Sequence, residues 1–463
     1  MLMRIRPRAS TLLMAVVAVL TAVPSWSFGA TFVPRIVNGL MTGAYPSTGA
    51  LLMYDDTAAT SLSGLCSGAL IGCHTFLTAA HCVCPDNVSD AASCKSFGLT
   101  DPATLRVFLQ DGGFFTVSRV DINPDYNFAV SGDVAIITLS DAVTGVAPTQ
   151  INQARRLDRG APGTIVGFGT TSAARHVPDD AGLKRQGTVL TATCPSDLPG
   201  DTQICWNFSG SASNTCEGDS GGPLFADLGA GPVLAGITSG GNSQDCLAPD
   251  VGFDSDVFVN RAWIVATTGS DLGSASCGLP AIGSAATAAV ATTGQVSSTS
   301  PRASSQFEVP AGTRVLRVAL NGQLGSTLGL SNATDFDLYV RAGSAASTAA
   351  YDCADTNSSP FGFCEIQSPQ AGTWHVLVNR AQGDGTFQLT ATTYSDNTPT
   401  TCAGDCNGDA SVTIDEILDG VRILLGDSDL GACPILDTNG DGQVSVDEIL
   451  AAVSSLLNGC SAT

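Results

Sequence analysis

Positive charge is what this chain has least of. Lys and Arg together number 20 against 42 Asp and Glu, and Lys95 and Lys184 are the only lysines. A formal net charge of −22 argues against nucleic acid or an anionic membrane surface as a partner, since both are polyanions. Charged residues of either sign make up 13% of the chain, too few for long solvated helices. Histidine is scarce, with four in all, and the 16 cysteines do not fall in the paired spacing of a zinc site. Long apolar runs are missing too. One run, residues 12–23, follows Arg4, Arg6 and Arg8. It is too short for a comfortable membrane span and has the build of a secretory signal, with cleavage expected after Ser27 or Ala30. An exported chain without a membrane span is expected.

What is abundant is Gly, Ser, Thr and Ala, in short apolar runs broken by turn residues. The runs at 105–109, 114–120, 164–168 and 233–238 read as antiparallel strands of a barrel or sandwich. The length leaves room for about two to four domains. An even number of cysteines in local clusters points to disulfides in an oxidising compartment.

The stretch Thr215-Cys216-Glu217-Gly218-Asp219-Ser220-Gly221-Gly222-Pro223 sets a serine between glycines behind an acidic residue. Such a turn presents a hydroxyl, and the N–H groups of Gly218 and Ser220 are placed to converge on a developing oxyanion. A serine hydroxyl is a weak nucleophile without a base and a carboxylate to orient that base. Both are found upstream, in Thr78-Ala79-Ala80-His81-Cys82 and in Asp133-Val134-Ala135-Ile136-Ile137, where an aspartate heads an apolar strand-like run. Histidine suits the base role because its pKa lies near neutrality. His74, His176 and His375 stand outside any motif, and Asp121, Asp125 and Asp141 sit in turn-like contexts. These read as structural or solvated groups.

The three stretches, in this order after Val33-Pro34-Arg35-Ile36-Val37-Asn38-Gly39, resemble the trypsin-like (chymotrypsin-family) serine proteases. The resemblance implies a double Greek-key β-barrel spanning 36–277, closed by a helix over 257–267. His81, Asp133 and Ser220 would form the triad between the barrels, with Gly218 and Ser220 as the oxyanion hole. It implies a short propeptide at 31–35, cut after Arg35 by another protease, so that the amine of Ile36 pairs with Asp219. Family disulfides map onto Cys66–Cys82, Cys194–Cys205 and Cys216–Cys246. Cys73, Cys84 and Cys94 depart from the commonest pattern. Cys84 with Cys94 and Cys73 with Cys277 is one of the three pairings these four cysteines allow.

The specificity pocket maps onto Asn214 at the floor, Ser239 as support of the catalytic aspartate, and Gly241 and Gly252 as residues keeping it open. A neutral Asn214 offers a cation hydrogen bonds without charge compensation, which argues against strict cleavage after Arg or Lys. Asp245 and Asp250 are other nearby sources of a charge. Gly240 stands where the family usually has tryptophan, removing an apolar shelf for substrate.

Residues 278–305, rich in Ala, Thr, Ser and Gly, read as a linker ending in an edge strand. Period-two runs follow at 314–320, 335–341, 373–378 and 386–390. With the Pro369-Gln370-Ala371-Gly372-Thr373-Trp374 turn, residues 306–396 resemble the bacterial pre-peptidase C-terminal (PPC) domain, a small β-sandwich, with Cys353–Cys364 bridging a loop. Residues 401–463 hold a repeat offset by 32 residues. Asp405, Asn407, Asp409, Ser411, Thr413 and Glu416 align with Asp437, Asn439, Asp441, Gln443, Ser445 and Glu448, the oxygen-donor spacing of an EF-hand loop. Each loop precedes an amphipathic helix. The tail resembles a dockerin or paired EF-hand module, stapled by some pairing of Cys402, Cys406, Cys433 and Cys460.

The expectation is therefore a mainly β, multidomain, secreted serine endopeptidase acting on protein or peptide. It needs no catalytic cofactor, binds Ca2+ in its tail, and has a possible cell-surface or matrix partner through its C-terminal modules. The rival reading is a catalytically silent homologue serving as an adhesion or scaffold protein.

Overall fold

A computed structural model describes residues 36–85, 87–172, 180–229, 231–273, 277, 287–325, 334–395, 403–406, 412–428, 430–437 and 443–458. A short strand, β1 (Leu40–Met41), leads into β2 (Thr48–Tyr54), β3 (Leu62–Leu70), β4 (Thr75–Thr78), β5 (Leu105–Leu109), β6 (Gly113–Ile122) and β7 (Ala135–Leu139), with helix α1 (Ala91–Phe97) before β5. These pair in the order β2-β3-β4-β7-β6-β5, and β5 returns to β2 to close a barrel. Six more strands follow: β8 (Pro162–Gly167), β9 (Arg185–Ala192), β10 (Gln203–Phe208), β11 (Pro223–Asp227), β12 (Pro232–Gly241) and β13 (Asp250–Asp256). They run β8-β9-β10-β13-β12-β11, and β11 returns to β8, so a second ring closes, with β1 added on β9. Helix α2 (Val257–Thr268), capped by the Asp256 side chain, ends the pair of barrels.

The strand patterns have different causes. In β9 burial alternates, with Arg185, Gly187, Val189 and Thr191 turned inward and Thr188 and Leu190 outward. That is the period-two signature of a sheet with one covered face. In β2 nearly every residue is buried, because Leu51 enters the barrel core while Ala50 and Leu52 meet Ala319 and Phe361 of the sandwich.

The sandwich has two four-stranded sheets. One runs β14 (Thr287–Val296), β21 (Gly385–Ser395), β16 (Thr313–Gly322), β19 (Phe361–Gln367). The other runs β15 (Arg302–Val309), β20 (Gly372–Gln382), β17 (Asp335–Ala342), β18 (Cys353–Asp355). The stretch 278–305, expected as a linker ending in an edge strand, holds strand structure from residue 287 on. Residues 287–296 form β14, paired along their length with β21, and 302–309 form β15. Their Ala, Thr and Ser content marks edge strands with little side chain to bury, which by composition is indistinguishable from a linker.

In the tail, α3 (Ile414–Leu425) and α4 (Val446–Asn458) share a small core with Leu436, Val444 and Ala452. Helix α3 begins with a capping box between Thr413 and Glu416 and ends at Gly426 in the left-handed conformation.

The structure pairs Cys66–Cys82, Cys194–Cys205, Cys216–Cys246 and Cys353–Cys364. It also pairs Cys73–Cys277, Cys84–Cys94 and Cys406–Cys433. Cys402 and Cys460 lie outside the described residues.

Candidate active site

His81 sits on a single 3-10 turn, Ala80–Val83, directly after β4, and the Cys66–Cys82 disulfide pins that turn to β3. Its Nδ1 lies 2.8 Å from Asp133 Oδ2, and its backbone N–H donates to Asp133 Oδ1 at 3.0 Å. Asp133, just ahead of β7, is wholly buried and accepts a third bond from Ser239 Oγ at 2.6 Å. Burial alone would push this carboxyl up. The facing His81 and the bonds from His81 and Ser239 outweigh it and hold Asp133 below the ordinary value. The same contest acts on His81. Burial disfavours its protonation, but attraction and hydrogen bonding to Asp133 prevail, and its pKa is raised. With Nδ1 committed to Asp133, the network assigns the proton to that nitrogen and leaves Nε2 as the basic one. The ring meets Phe128 edge-on at 5.4 Å.

Ser220 belongs to the turn between the two barrels. Its carbonyl accepts Ser67 N–H at 2.8 Å, and Ser67 Oγ donates to the Gly218 carbonyl at 2.8 Å, so β3 is stitched to the serine turn. Gly221 is where β3, β4 and this turn come closest. A Cβ there would stand 2.1 Å from Thr78 Oγ1 and 2.4 Å from the Ser67 carbonyl oxygen. Ser220 is half-buried, and among the described residues the N–H groups of Gly218 and Ser220 have no acceptor. No hydrogen bond joins Ser220 to His81 among the described residues, and such contacts tighten only when substrate is bound. Cys82 Sγ lies between them, 4.0 Å from His81 Nε2 and 3.6 Å from the Ser220 carbonyl oxygen. Cys66, His81 and Cys82 cluster closely enough to suggest a metal, but both sulfurs are spent in the disulfide.

Asp219 is buried and accepts the N–H groups of Cys216 at 2.9 Å and Gly169 at 2.8 Å. Burial pushes its carboxyl up to about 7, against the pull of those two bonds and of Arg185. Ile36 is fully buried among Ile165, Trp206 and Leu224. Among the described residues nothing bonds Ile36 to Asp219, and Arg35 lies outside them.

A cavity of about 200 Å³ opens beside Ser220, lined by Thr215, Glu217, Gly240, Gly241 and Asp250 among others. Asn214 does not line it. Its amide is fully buried and consumed inside the protein, accepting from Trp206 Nε1 at 3.0 Å and donating to Asp250 Oδ2 at 2.7 Å. Two carboxylates line the cavity, the exposed Glu217 and the buried Asp250, and Asp250 Oδ1 accepts the N–H groups of Ser243 and Val251, each at 2.7 Å. Gly241 faces this carboxylate, and a Cβ on it would lie 2.9 Å from Asp250 Oδ2. Gly252 instead makes room for Trp206, whose ring would be 2.4 Å from an added Cβ. Asp245 is half-buried and accepts from Ser243 Oγ at 2.6 Å. From sequence, Asp250 was one of two rival charges. In the fold Gly241 pairs with Gly252 across β12 and β13, and Asp250, the first residue of β13, lines the same cavity as Ser220. Asp180 and Arg185 carry no motif that would have marked them.

In the tail, Glu416 and Glu448 are both buried. Glu416 accepts Thr413 N–H at 2.8 Å, and Glu448 accepts Ser445 N–H at 2.8 Å, so the two repeats close alike. Asp405, Asp437 and Gln443 are described, whereas Asn407, Asp409, Ser411, Asn439 and Asp441 lie outside the described residues.

Comparison with known proteins matches residues 50–264 to the family Trypsin and residues 302–380 to the bacterial pre-peptidase C-terminal domain. Trypsin alpha of Drosophila erecta is 27% identical over 248 residues, covering 50% of this chain and 90% of that protein. Trypsin-1 of Astacus astacus is 26% identical over 212 residues, covering 43% and 86%. Brachyurin of Leptuca pugilator is 32% identical over 219 residues, covering 44% and 88%. No helix among the described residues is long and apolar enough to cross a membrane. Two closed six-stranded barrels meeting at His81, Asp133 and Ser220 accord with these similarities: the chain belongs to the trypsin family of serine proteases.

Proposed function

We propose that the chain is an exported serine endopeptidase, made as a zymogen, that cleaves peptide bonds through an acyl-enzyme on Ser220. His81 Nε2 takes the Ser220 proton as Oγ attacks the scissile carbonyl carbon. Asp133 holds the imidazole in the required tautomer and stabilises its charged form, and the N–H groups of Gly218 and Ser220 receive the oxyanion. His81 then gives the proton to the leaving amine, and water hydrolyses the ester by the same route. The observation that carries this reading is the Ser239–Asp133–His81 relay beside a half-exposed Ser220 flanked by two unused N–H groups. Cleavage after Arg35 would supply Asp219 with an ammonium. Among the described residues its carboxylate is hydrogen-bonded by backbone N–H groups alone, and Ile36 is buried.

The test is fluorophosphonate labelling before and after cleavage at Arg35, read by peptide mass spectrometry. A label on Ser220 only after cleavage is expected. Label before cleavage would remove the zymogen argument, and no label on folded protein would remove the peptidase.

The buried Asp250 carboxylate supports a preference for a basic side chain in the cavity, which Asn214 alone did not. Asp250→Asn is expected to lower kcat/KM for Arg and Lys peptides about 100-fold, in keeping with loss of a buried charge pair, and to spare Leu and Phe peptides. Equal loss across all of them would assign Asp250 a structural role only. For the tail we propose calcium. Its described donors are all oxygen and its two closing glutamates are buried, which suits a hard cation. Such an ion would cross-link each loop to its helix. A cell-surface or matrix partner for the C-terminal modules remains part of this reading.

A further inference from the structure

Among the described residues, two clusters of hydrogen bonds tie the sandwich to the barrels beside the apolar contact at β2. At one, Arg317 donates to the carbonyls of Asp111 and Thr144, the Tyr394 hydroxyl donates to the Asp111 carbonyl, and the Thr392 hydroxyl bonds the Asp111 carboxylate. At the other, two buried amides of the sandwich take hold of residues 181–184, the segment leading into β9. Gln388 Oε1 accepts Lys184 N–H at 2.6 Å, and Gln388 Nε2 donates to the Lys184 carbonyl at 3.0 Å. Asn321 Nδ2 donates to the Gly182 carbonyl at 2.8 Å and to Gln388 Oε1 at 2.7 Å. Leu324 N–H adds a bond to the Ala181 carbonyl. Gln388 thus does for Lys184 what a neighbouring strand would do.

The next residue is Arg185, a fully buried cation. Its guanidinium donates to the Gly169 carbonyl at 2.6 Å and to the carbonyl and carboxylate of Asp180 at 2.8 and 3.2 Å. Gly169 in turn donates its N–H to Asp219 Oδ1, and Thr170 donates its own to the Glu217 carbonyl. Asp219 and Glu217 flank Gly218 in the turn that ends at Ser220. Hydrogen bonds from Gln388 and Asn321 to residues 184 and 182, the chain step from Lys184 to Arg185, and the bonds from Arg185 to Gly169 and from Gly169 to Asp219 thus lead from the sandwich to the serine turn. Gln388, Asn321, Arg185 and Asp219 are buried, so a shift at one end is transmitted rather than absorbed.

We infer that the β-sandwich is a positioning element of the peptidase: Gln388 and Asn321 hold the 181–185 segment so that Arg185 sets the Gly169–Asp219 contact and, through it, the Ser220 turn. This rests on the proposed peptidase reading. The module then acts on catalysis from within the chain and is more than a tether or an adhesive appendage.

The test uses the full chain cleaved after Arg35. Gln388→Leu removes the amide from Lys184, and Arg185→Lys keeps the charge but cannot hold Gly169 and Asp180 together. Thr392→Ala removes a contact at the other grip. Each is measured for melting temperature, for kcat and KM on a small ester, and for the rate of fluorophosphonate labelling. Gln388→Leu and Arg185→Lys are expected to lose ten- to hundred-fold in kcat and labelling rate with KM within about twofold, the scale of a misplaced reacting group. Thr392→Ala is expected to melt lower with kcat unchanged. Equal kcat in all three, or a fall that follows melting temperature in all three, would overturn the inference. Should Gln388→Leu fail to fold, Asn321→Ser, which frees the Gly182 carbonyl, Gln388 and the Gln110 amide, decides between the same outcomes. Wild-type protein that takes no label would instead remove the peptidase reading itself.

Discussion

Asp133 matters most when His81 is charged, and that sets what its replacement does. An asparagine keeps the shape but presents an amide to Nδ1 and favours the wrong tautomer. Asp133→Asn is expected to lower kcat by about 10⁴ with KM little changed. The pH profile supplies a second readout. His81 works as a base only when neutral, so activity is lost as pH falls through its pKa, which Asp133 raises. In Asp133→Asn the residual activity should persist to lower pH than in the wild type. A mutant limb at the same pH would mean that His81 is not the titrating base.

Asp219 makes the opposite kind of statement, about stability. In the uncleaved chain burial raises its pKa from 3.8 to about 7. The folded state therefore prefers the protonated form. The stability linked to this group is fully present below about pH 4 and is lost as pH rises to about 7. On the order of a few kcal/mol is involved. Calorimetry of an Arg35→Gln chain between pH 4 and 8 should show the barrels melting lower as pH rises, and adding Asp219→Asn should flatten the trend. An unchanged slope would place the titration elsewhere.

At the scale of elements, the segment between β8 and β9 is shaped by what packs on it. Gly182 has φ of +98°, and a Cβ there would lie 2.2 Å from the Gly322 carbonyl oxygen of the sandwich. Gly229 has φ of +104° with nothing within 4 Å. Gly229→Ala pays only backbone strain, about 1 kcal/mol, whereas Gly182→Ala adds a clash with a buried backbone and should cost clearly more. Melting temperatures of the two variants check this. Similar losses would mean that the interface adapts. Much at this scale was legible beforehand. The expected strand at 105–109 is β5, and those at 114–120 and 233–238 lie within β6 and β12. β14 was not legible, because Ala and Thr without bulky residues look alike in a linker and at a sheet edge.

For the whole molecule, the modules should respond differently to loss of a hard cation. The proposed calcium loops belong to the tail, whose core is small and holds the Cys406–Cys433 bridge. Chelation is expected to lower the melting transition of the tail by several degrees, since a ligand bound only by the folded state adds to its stability. Ester hydrolysis by the barrels should be unaffected. A drop in hydrolysis that tracks chelation would tie the tail to the active site, and no thermal shift would remove calcium from the reading.

The motifs around His81, Asp133 and Ser220 were readable because nucleophile chemistry demands particular residues within a few positions of each other. The repeat in the tail was readable because oxygen-bearing side chains recur at fixed spacing. By itself the sequence determined those residue types, the disulfide-permissive composition and the strand periodicities. Tertiary structure alone decided that Asp250 faces the cavity while Asn214 is used up beneath it, for cross-strand register is not written in either strand separately. It alone decided that Arg185, an unremarkable residue in the chain, lies buried between the sandwich and the serine turn. Both outcomes depend on contacts between residues far apart in sequence, where burial and pairing are set by the neighbours that the fold brings in.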